Sequence, residues 1–306
     1  MAFRLLLLLV GLFLFSHAAR AEIVPLSTLG LSGEEENRLS FPIGLSLGYG
    51  ELLYVADSGN NRVVVFDSSG VVRSRIGFAG SEEGRFLEPT DVAAGEGLHI
   101  YVLDWGNERI QVFDRYGQFS EVILSRDQET IGVPAGLEAD LFGRVYVADA
   151  EEDLVRVFRS FTGEEEFDVG GYGTEPGRFR HPADIAVDRE RRIYVADRDN
   201  NRVQVFDSLG SFLYQFGSEK GAGRLSAPTG IAVDRFGSVF VADTGNRRVA
   251  VYRAGKLQGE VLLAPDGTAL EAPRGVAVGE GNRLYISDAE SNRVHVYRYR
   301  FSSHAR

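Results

Sequence analysis

The sequence predicts an all-β fold, a six-bladed β-propeller whose blades are four-stranded antiparallel sheets. Three observations predict it. A proline is followed fifteen residues later by an aspartate six times over, at Pro42/Asp57, Pro89/Asp104, Pro134/Asp149, Pro182/Asp197, Pro228/Asp243 and Pro273/Asp288. An aromatic residue stands three positions before each aspartate (Tyr54, Tyr101, Tyr146, Tyr194, Phe240, Tyr285) and another nine after it (Phe66, Phe113, Phe158, Phe206, Tyr252, Tyr297), so one unit recurs every 45 to 48 residues. The 306 residues include 36 glycines but only nine prolines, a composition of many tight turns that argues against a helix bundle.

Within the fourth unit, Asp184-Ile-Ala-Val, Ile193-Tyr-Val-Ala, Val203-Gln-Val-Phe and Phe212-Leu-Tyr-Gln-Phe are short runs of β-branched and aromatic residues bounded by turn formers. Each unit therefore reads as a four-stranded meander with two apolar faces. Radial stacking around an axis buries both faces of every sheet. The sixth unit runs out of chain after its third strand. Residues Ile23 to Leu31, followed by Asn37-Arg-Leu-Ser-Phe-Pro42, parallel Phe212 to Gly217 followed by Gly223-Arg-Leu-Ser-Ala-Pro228. The mature N-terminal strand is thus expected to join the last blade and close the ring, which abolishes an open sheet edge.

Residues 1–21 read as a cleaved signal peptide: a basic start at Arg4, eleven apolar residues from Leu5 to Phe15, and Ala19-Arg20-Ala21 at the cleavage point. An eleven-residue helix rises about 16 Å, half a bilayer core, so no permanent membrane span is expected. Loss of Arg4 and Arg20 leaves 31 basic against 44 acidic residues, a charge of −13 on residues 22–306, which disfavours nucleic acid as a partner. The chain has no cysteine and no Asn-x-Ser/Thr acceptor, which points to a bacterial periplasmic or extracellular location, with stability drawn from packing alone.

Pro228-Thr-Gly-Ile-Ala-Val-Asp followed by Val239-Phe-Val-Ala-Asp-Thr-Gly-Asn-Arg-Arg-Val resembles the NHL repeat. The resemblance covers nearly the whole mature chain. Units two and three depart most, the second in its exit from Ser125 to Val133 and the third at Leu154, where the other units have arginine. The resemblance implies an interaction module, such as a receptor sensor domain or an RNA-binding domain, and the acid balance argues against RNA. It also implies a competing class, since related propellers include a lyase that cleaves peptidyl-hydroxyglycine and calcium-dependent lactonases.

The recurring pairs Asp57/Arg62, Asp104/Arg109, Asp197/Arg202, Asp243/Arg248 and Asp288/Arg293, together with Asp149, read as structural because every unit repeats them. The aspartate is expected to hold the backbone of the following turn, and the arginine to reach that carboxylate. Asn60, Asn107, Asn200 and Asn246, with Gly59, Gly106 and Gly245, suggest a turn that visits positive φ. The Gly84-Arg-Phe, Gly177-Arg-Phe and Gly223-Arg-Leu exits read as packing between blades.

Function is expected where the units differ. On the turns between second and third strands these positions are Trp105, the only tryptophan, with Glu108, Glu151, Glu152, Arg198 and Arg247 as candidates for holding a partner; Asp153, Asp199 and Glu290 vary beside them. At the channel mouth the candidates are Asp91 and Asp184, where other units have Gly44, Gly136, Gly230 and Gly275, and Arg274. The two carboxylates could help hold a cation, though a blade separates them. Of five histidines only His181 lies near an inner strand, so no zinc set of histidine and cysteine can be assembled. No nucleophile elbow or phosphate loop is present. The expectation is a monomeric, exported, non-catalytic module binding a protein or peptide through one loop face, without cofactor or metal. The alternative is a metal-dependent lyase or lactonase-like hydrolase at the channel mouth.

Overall fold

A computed structural model describes residues 21–30, 37–126, 131–160 and 162–301. Six four-stranded antiparallel sheets form the molecule. We letter the strands of each blade a to d from the axis outward. The inner, a strands are Pro42–Leu47, Pro89–Ala94, Pro134–Ala139, Pro182–Val187, Pro228–Val233 and Pro273–Gly279. The a–b and c–d turns share one face of the ring, and the b–c turns and d–a crossovers share the other.

The b strands are buried on both faces, as in Leu53–Asp57 and Ile193–Asp197. That explains their unbroken apolar character. Six apolar clusters fill the seams, each drawing on two neighbouring blades; Val63 and Val65 of blade one pack with Val92 and Val102 of blade two. The last seam joins Val55 to Tyr285 and Val294, with Leu29 in the same cluster. The strand Ala21–Leu29 pairs antiparallel with Arg293–Phe301, from Ala21↔Phe301 to Leu29↔Val294, so the first described strand is the d strand of blade six. Apart from Ala21, which opens that strand, the expected signal peptide lies outside the described residues.

The Pro–Asp spacing has a physical origin. Each proline faces its aspartate across the a–b ladder, from Pro42↔Asp57 to Pro273↔Asp288. Each aspartate is fully buried or nearly so. Its carboxylate accepts the backbone N–H of the residue two before the proline: Ser40 at 2.6 Å, Leu87 at 2.8 Å, Gly132 at 2.7 Å, Arg180 at 2.9 Å, Ser226 at 2.7 Å and Glu271 at 3.0 Å. This corrects the expectation that the aspartate holds the turn after it. Only Asp149 does so, accepting from Glu151 and Glu152 at 3.1 Å. The carboxylate points into the seam because the incoming crossover brings a buried N–H that needs an acceptor.

Arg62, Arg109, Arg202 and Arg248 pair with their aspartates at 2.7, 2.9, 2.7 and 2.7 Å. Blade six departs. Arg293 pairs with Asp266 at 3.1 Å, and His295 stands beside Asp288 at 3.6 Å. In blade three, Arg156 takes the role at 3.3 Å that Leu154 cannot.

Positive φ falls four residues beyond the repeated aspartate, on Asn61, Glu108, Asp153, Asn201, Arg247 and Asn292, at 51° to 58°. Gly59, Gly106 and Gly245, expected to carry it, do not. These glycines answer to space: a Cβ on Gly106 would lie 2.7 Å from the Leu87 carbonyl oxygen, and one on Gly245 2.6 Å from that of Ser226. Asn60, Asn107, Asn200 and Asn246 each donate from Nδ2 to the buried aspartate.

Candidate functional site at the axial channel

The inner strands open with a bulge. In every blade the register breaks just after the proline, so the first residue past it has no ladder partner. A bulge re-aims a side chain. Here it leaves Ile43, Thr90, Ala135, Ala183, Thr229 and Arg274, all half-buried, encircling the channel mouth on the b–c face.

The next position alternates around most of the ring. Asp91 accepts from Val92 N within its own blade and from Leu137 N on blade three, both at 2.8 Å. Asp184 accepts from Ile185 N and from Ile231 N on blade five, again at 2.8 Å. Each carboxylate therefore staples its blade to the next. The preceding blades make room: a Cβ on Gly44 would lie 2.0 Å from Asp91 Oδ1, and one on Gly136 2.6 Å from Asp184 Cα. Blade six breaks the alternation with Gly275. There the Ser287 hydroxyl accepts from Gly275 N at 2.7 Å and donates to the Ile43 carbonyl of blade one at 2.5 Å.

Below this layer a cavity of about 580 Å³ follows the inner strands down to Asp140, Leu141, Phe142, Asp188 and Arg189, and opens on the a–b face. Glu138 enters it from the blade between Asp91 and Asp184. Burial pushes the Glu138 carboxyl up to about 8 against the single N–H of Ala139, and the charges of Asp91 and Asp140 add to the shift. Burial likewise raises Asp91 against its two backbone donors. Asp184 is raised well above the carboxylate range by burial first and then by the charge of Asp91. Among the described residues no three acids or histidines come together as a metal-holding group. The oxygens of Asp91 and Asp184, weighed as helpers to a cation, each accept a backbone N–H group.

The b–c face carries the partner-binding candidates. Trp105 is 44% exposed, and Glu108, Glu151, Glu152, Arg198 and Arg247 are all exposed. Arg126 links Glu108 and Glu151 across blades two and three at 3.2 and 3.3 Å. In four blades the left-handed corner latches the next blade through the N–H just before its proline: Asn61 to Glu88 at 2.7 Å, Asp153 to His181 at 2.6 Å, Asn201 to Ala227 at 2.8 Å and Asn292 to Phe41 at 2.7 Å. At blades two and five the corner is Glu108 or Arg247, and no such latch forms among the described residues. On this face Glu108, Glu151 and Glu152 lie on blades two and three, and Arg198, Arg247 and Arg274 lie on blades four, five and six, with Asp199 and Glu290 among them.

The NHL repeat model matches residues 39–66, 86–113, 179–206 and 270–297, which fall in blades one, two, four and six. The chain is an NHL-repeat β-propeller. No curated protein matches the sequence. Among solved structures the NHL propeller is similar to a gluconolactonase from Xanthomonas campestris (14% identity, 92% of each chain covered, TM-score 0.66). It is also similar to a catalytically inactive virginiamycin B lyase from Staphylococcus aureus with quinupristin, at 12% identity, 90% of this chain and 85% of that one, and a TM-score of 0.61. Kuenenia stuttgartiensis hydrazine synthase matches at 14% identity over 88% of this chain and 97% of that one, with a TM-score of 0.59. At these identities the likeness is one of fold.

Sequence reasoning missed Glu138. A signal was present, because the fourth position past the proline is otherwise Ser46, Ala93, Ala186, Ala232 and Ala277. It also missed Gln111 and Gln204, buried side chains that each bind the blade's aspartate and an incoming Gly-Arg-Phe exit.

Proposed function

We propose that this NHL propeller is an exported, non-catalytic binding module, secreted or periplasmic, that holds a protein or peptide partner on its b–c face. One observation carries the reading. The channel carboxylates Asp91 and Asp184 are engaged by backbone N–H groups of adjacent blades, whereas the b–c face presents exposed residues that differ from blade to blade, Trp105 among them. The lyase and the gluconolactonase of like fold supply the competing reading, chemistry at the channel mouth by way of a metal. The engagement of both carboxylates speaks for the first, since each of their four oxygens already accepts one N–H group and two of those bonds hold a blade seam.

A photo-cross-linker at position 105 or 247 of the exported chain tests it. The expected result is one defined adduct with an envelope polypeptide from both positions and none from position 116, on the opposite face. Trp105→Ala is expected to weaken capture about tenfold or more, as for a buried aromatic anchor. Stoichiometric calcium or zinc in the purified protein, lost in Asp91→Ala, would overturn the reading in favour of the enzyme.

A further inference from the structure

Arg274 is the only charged side chain in the ring of six that encircles the b–c mouth. Its Nε is buried without an acceptor, and no described residue forms a hydrogen bond or ion pair with its guanidinium. The contrast with the repeat arginines is plain, because Arg62, Arg109, Arg202 and Arg248 each hold a buried carboxylate. Two charges from other elements act on it. Arg198, on the b–c turn of blade four, repels it across the mouth, and Glu290, on the turn of its own blade, attracts it less strongly without reaching ion-pair distance. Arg198 is itself barely engaged: it lies 4.0 Å from Asp199, whose other oxygen faces His181 at 2.8 Å. A second buried polar atom on the same ring, Thr90 Oγ1, also lacks a partner.

Buried donors left unmade are destabilising, and charged ones most of all. An unpartnered guanidinium at the mouth with a second, weakly engaged one near enough to repel it forms a receptor for a group that accepts in a fork and brings one negative charge. We propose that the b–c mouth, between Arg274 and Arg198, is a carboxylate-binding site that takes an acidic side chain of the bound polypeptide. The proposal rests on the b–c face being the binding face and names the chemistry that face selects. With −13 on the expected mature chain, an acidic ligand is repelled at long range, so a preference for one requires a local cationic site.

Fluorescence anisotropy at low salt, with labelled hexaglutamate and its neutral isostere hexaglutamine, tests the site on the whole mature protein. Hexaglutamate is expected to bind at least about tenfold more tightly, the worth of one charge-assisted hydrogen-bond pair. Arg274→Gln and Arg198→Gln are each expected to remove most of that preference, Arg274→Lys to restore part of it, and Glu290→Gln to increase it. Arg235→Gln, on the opposite face, is expected to change nothing. Arg274→Gln also removes a half-buried charge whose Nε is unpartnered, so its Tm without peptide is expected to equal or exceed the parent's, which separates lost binding from lost folding. Equal binding of the two peptides, or a preference that survives Arg274→Gln, overturns the site. Either result leaves the scaffold reading to the cross-linking at positions 105 and 247.

Discussion

The two levels of the axial channel treat charge in opposite ways. One layer below the b–c mouth, Asp91 and Asp184 are acid side chains whose oxygens accept N–H groups from two blades, so they serve as staples of the ring. At the mouth itself Arg274 is a cation that the fold leaves without a partner. Both stand on inner strands within two residues of the repeat proline. The difference teaches where to look for function in a repeat protein: a charge the frame satisfies belongs to the frame, and one it leaves open is available to something else.

The largest expected effect comes from breaking the lower layer. Asp184→Ala leaves the Ile231 N–H without its acceptor in a buried seam, and Asp91→Ala does the same to Leu137. Each is expected to lower stability by about 2 to 4 kcal/mol, read as a drop in the urea midpoint. If either variant keeps the parent midpoint, the staple account fails.

A smaller effect sharpens the comparison through pH. Glu138 has a folded-state pKa of about 8, above its ordinary 4.5. The folded protein therefore binds more protons than the unfolded chain between those values, and its stability falls as pH rises through that window. Asp91 and Asp184 carry the same sign. Glu138→Gln keeps an acceptor for Ala139 N–H and removes the ionisation. Its Tm is expected to match the parent's near about pH 5 and to exceed it by several degrees near about pH 8.5. Parallel Tm–pH curves would show that Glu138 ionises freely in the cavity.

The smallest effect lies at the corners. Glu108 and Arg247 sit at φ 52° and 51°, where Asn61, Asn201 and Asn292 serve elsewhere. Asparagine tolerates the left-handed conformation better than most residues. Glu108→Asn and Arg247→Asn are each expected to gain up to about 1 kcal/mol in urea unfolding, with weakened cross-linking to the partner. A gain in stability with undiminished capture would leave these two corners without a binding role.

The candidate site was legible in part. Aligning the units singled out Asp91, Asp184 and Arg274, because a departure from a repeat shows in the chain itself. What each departure does was not legible. Asp91 finds its acceptor role on Leu137, 46 residues away, and Arg274 meets the charge of Arg198 from two blades away. The exchange in blade six, with Arg293 turned to Asp266 and His295 beside Asp288, also followed from the crossover's path and not from spacing.

The sequence by itself determined the number of blades, the strand order within each and the return of the N-terminal strand to the last one. These follow from periodicity, which is local: a proline that cannot donate, an aspartate that faces it, and apolar runs of strand length. Only the tertiary structure decided which charges are satisfied. That depends on how far each blade is rotated against its neighbour, and hence on which N–H or carboxylate arrives within 3 Å of a given side chain.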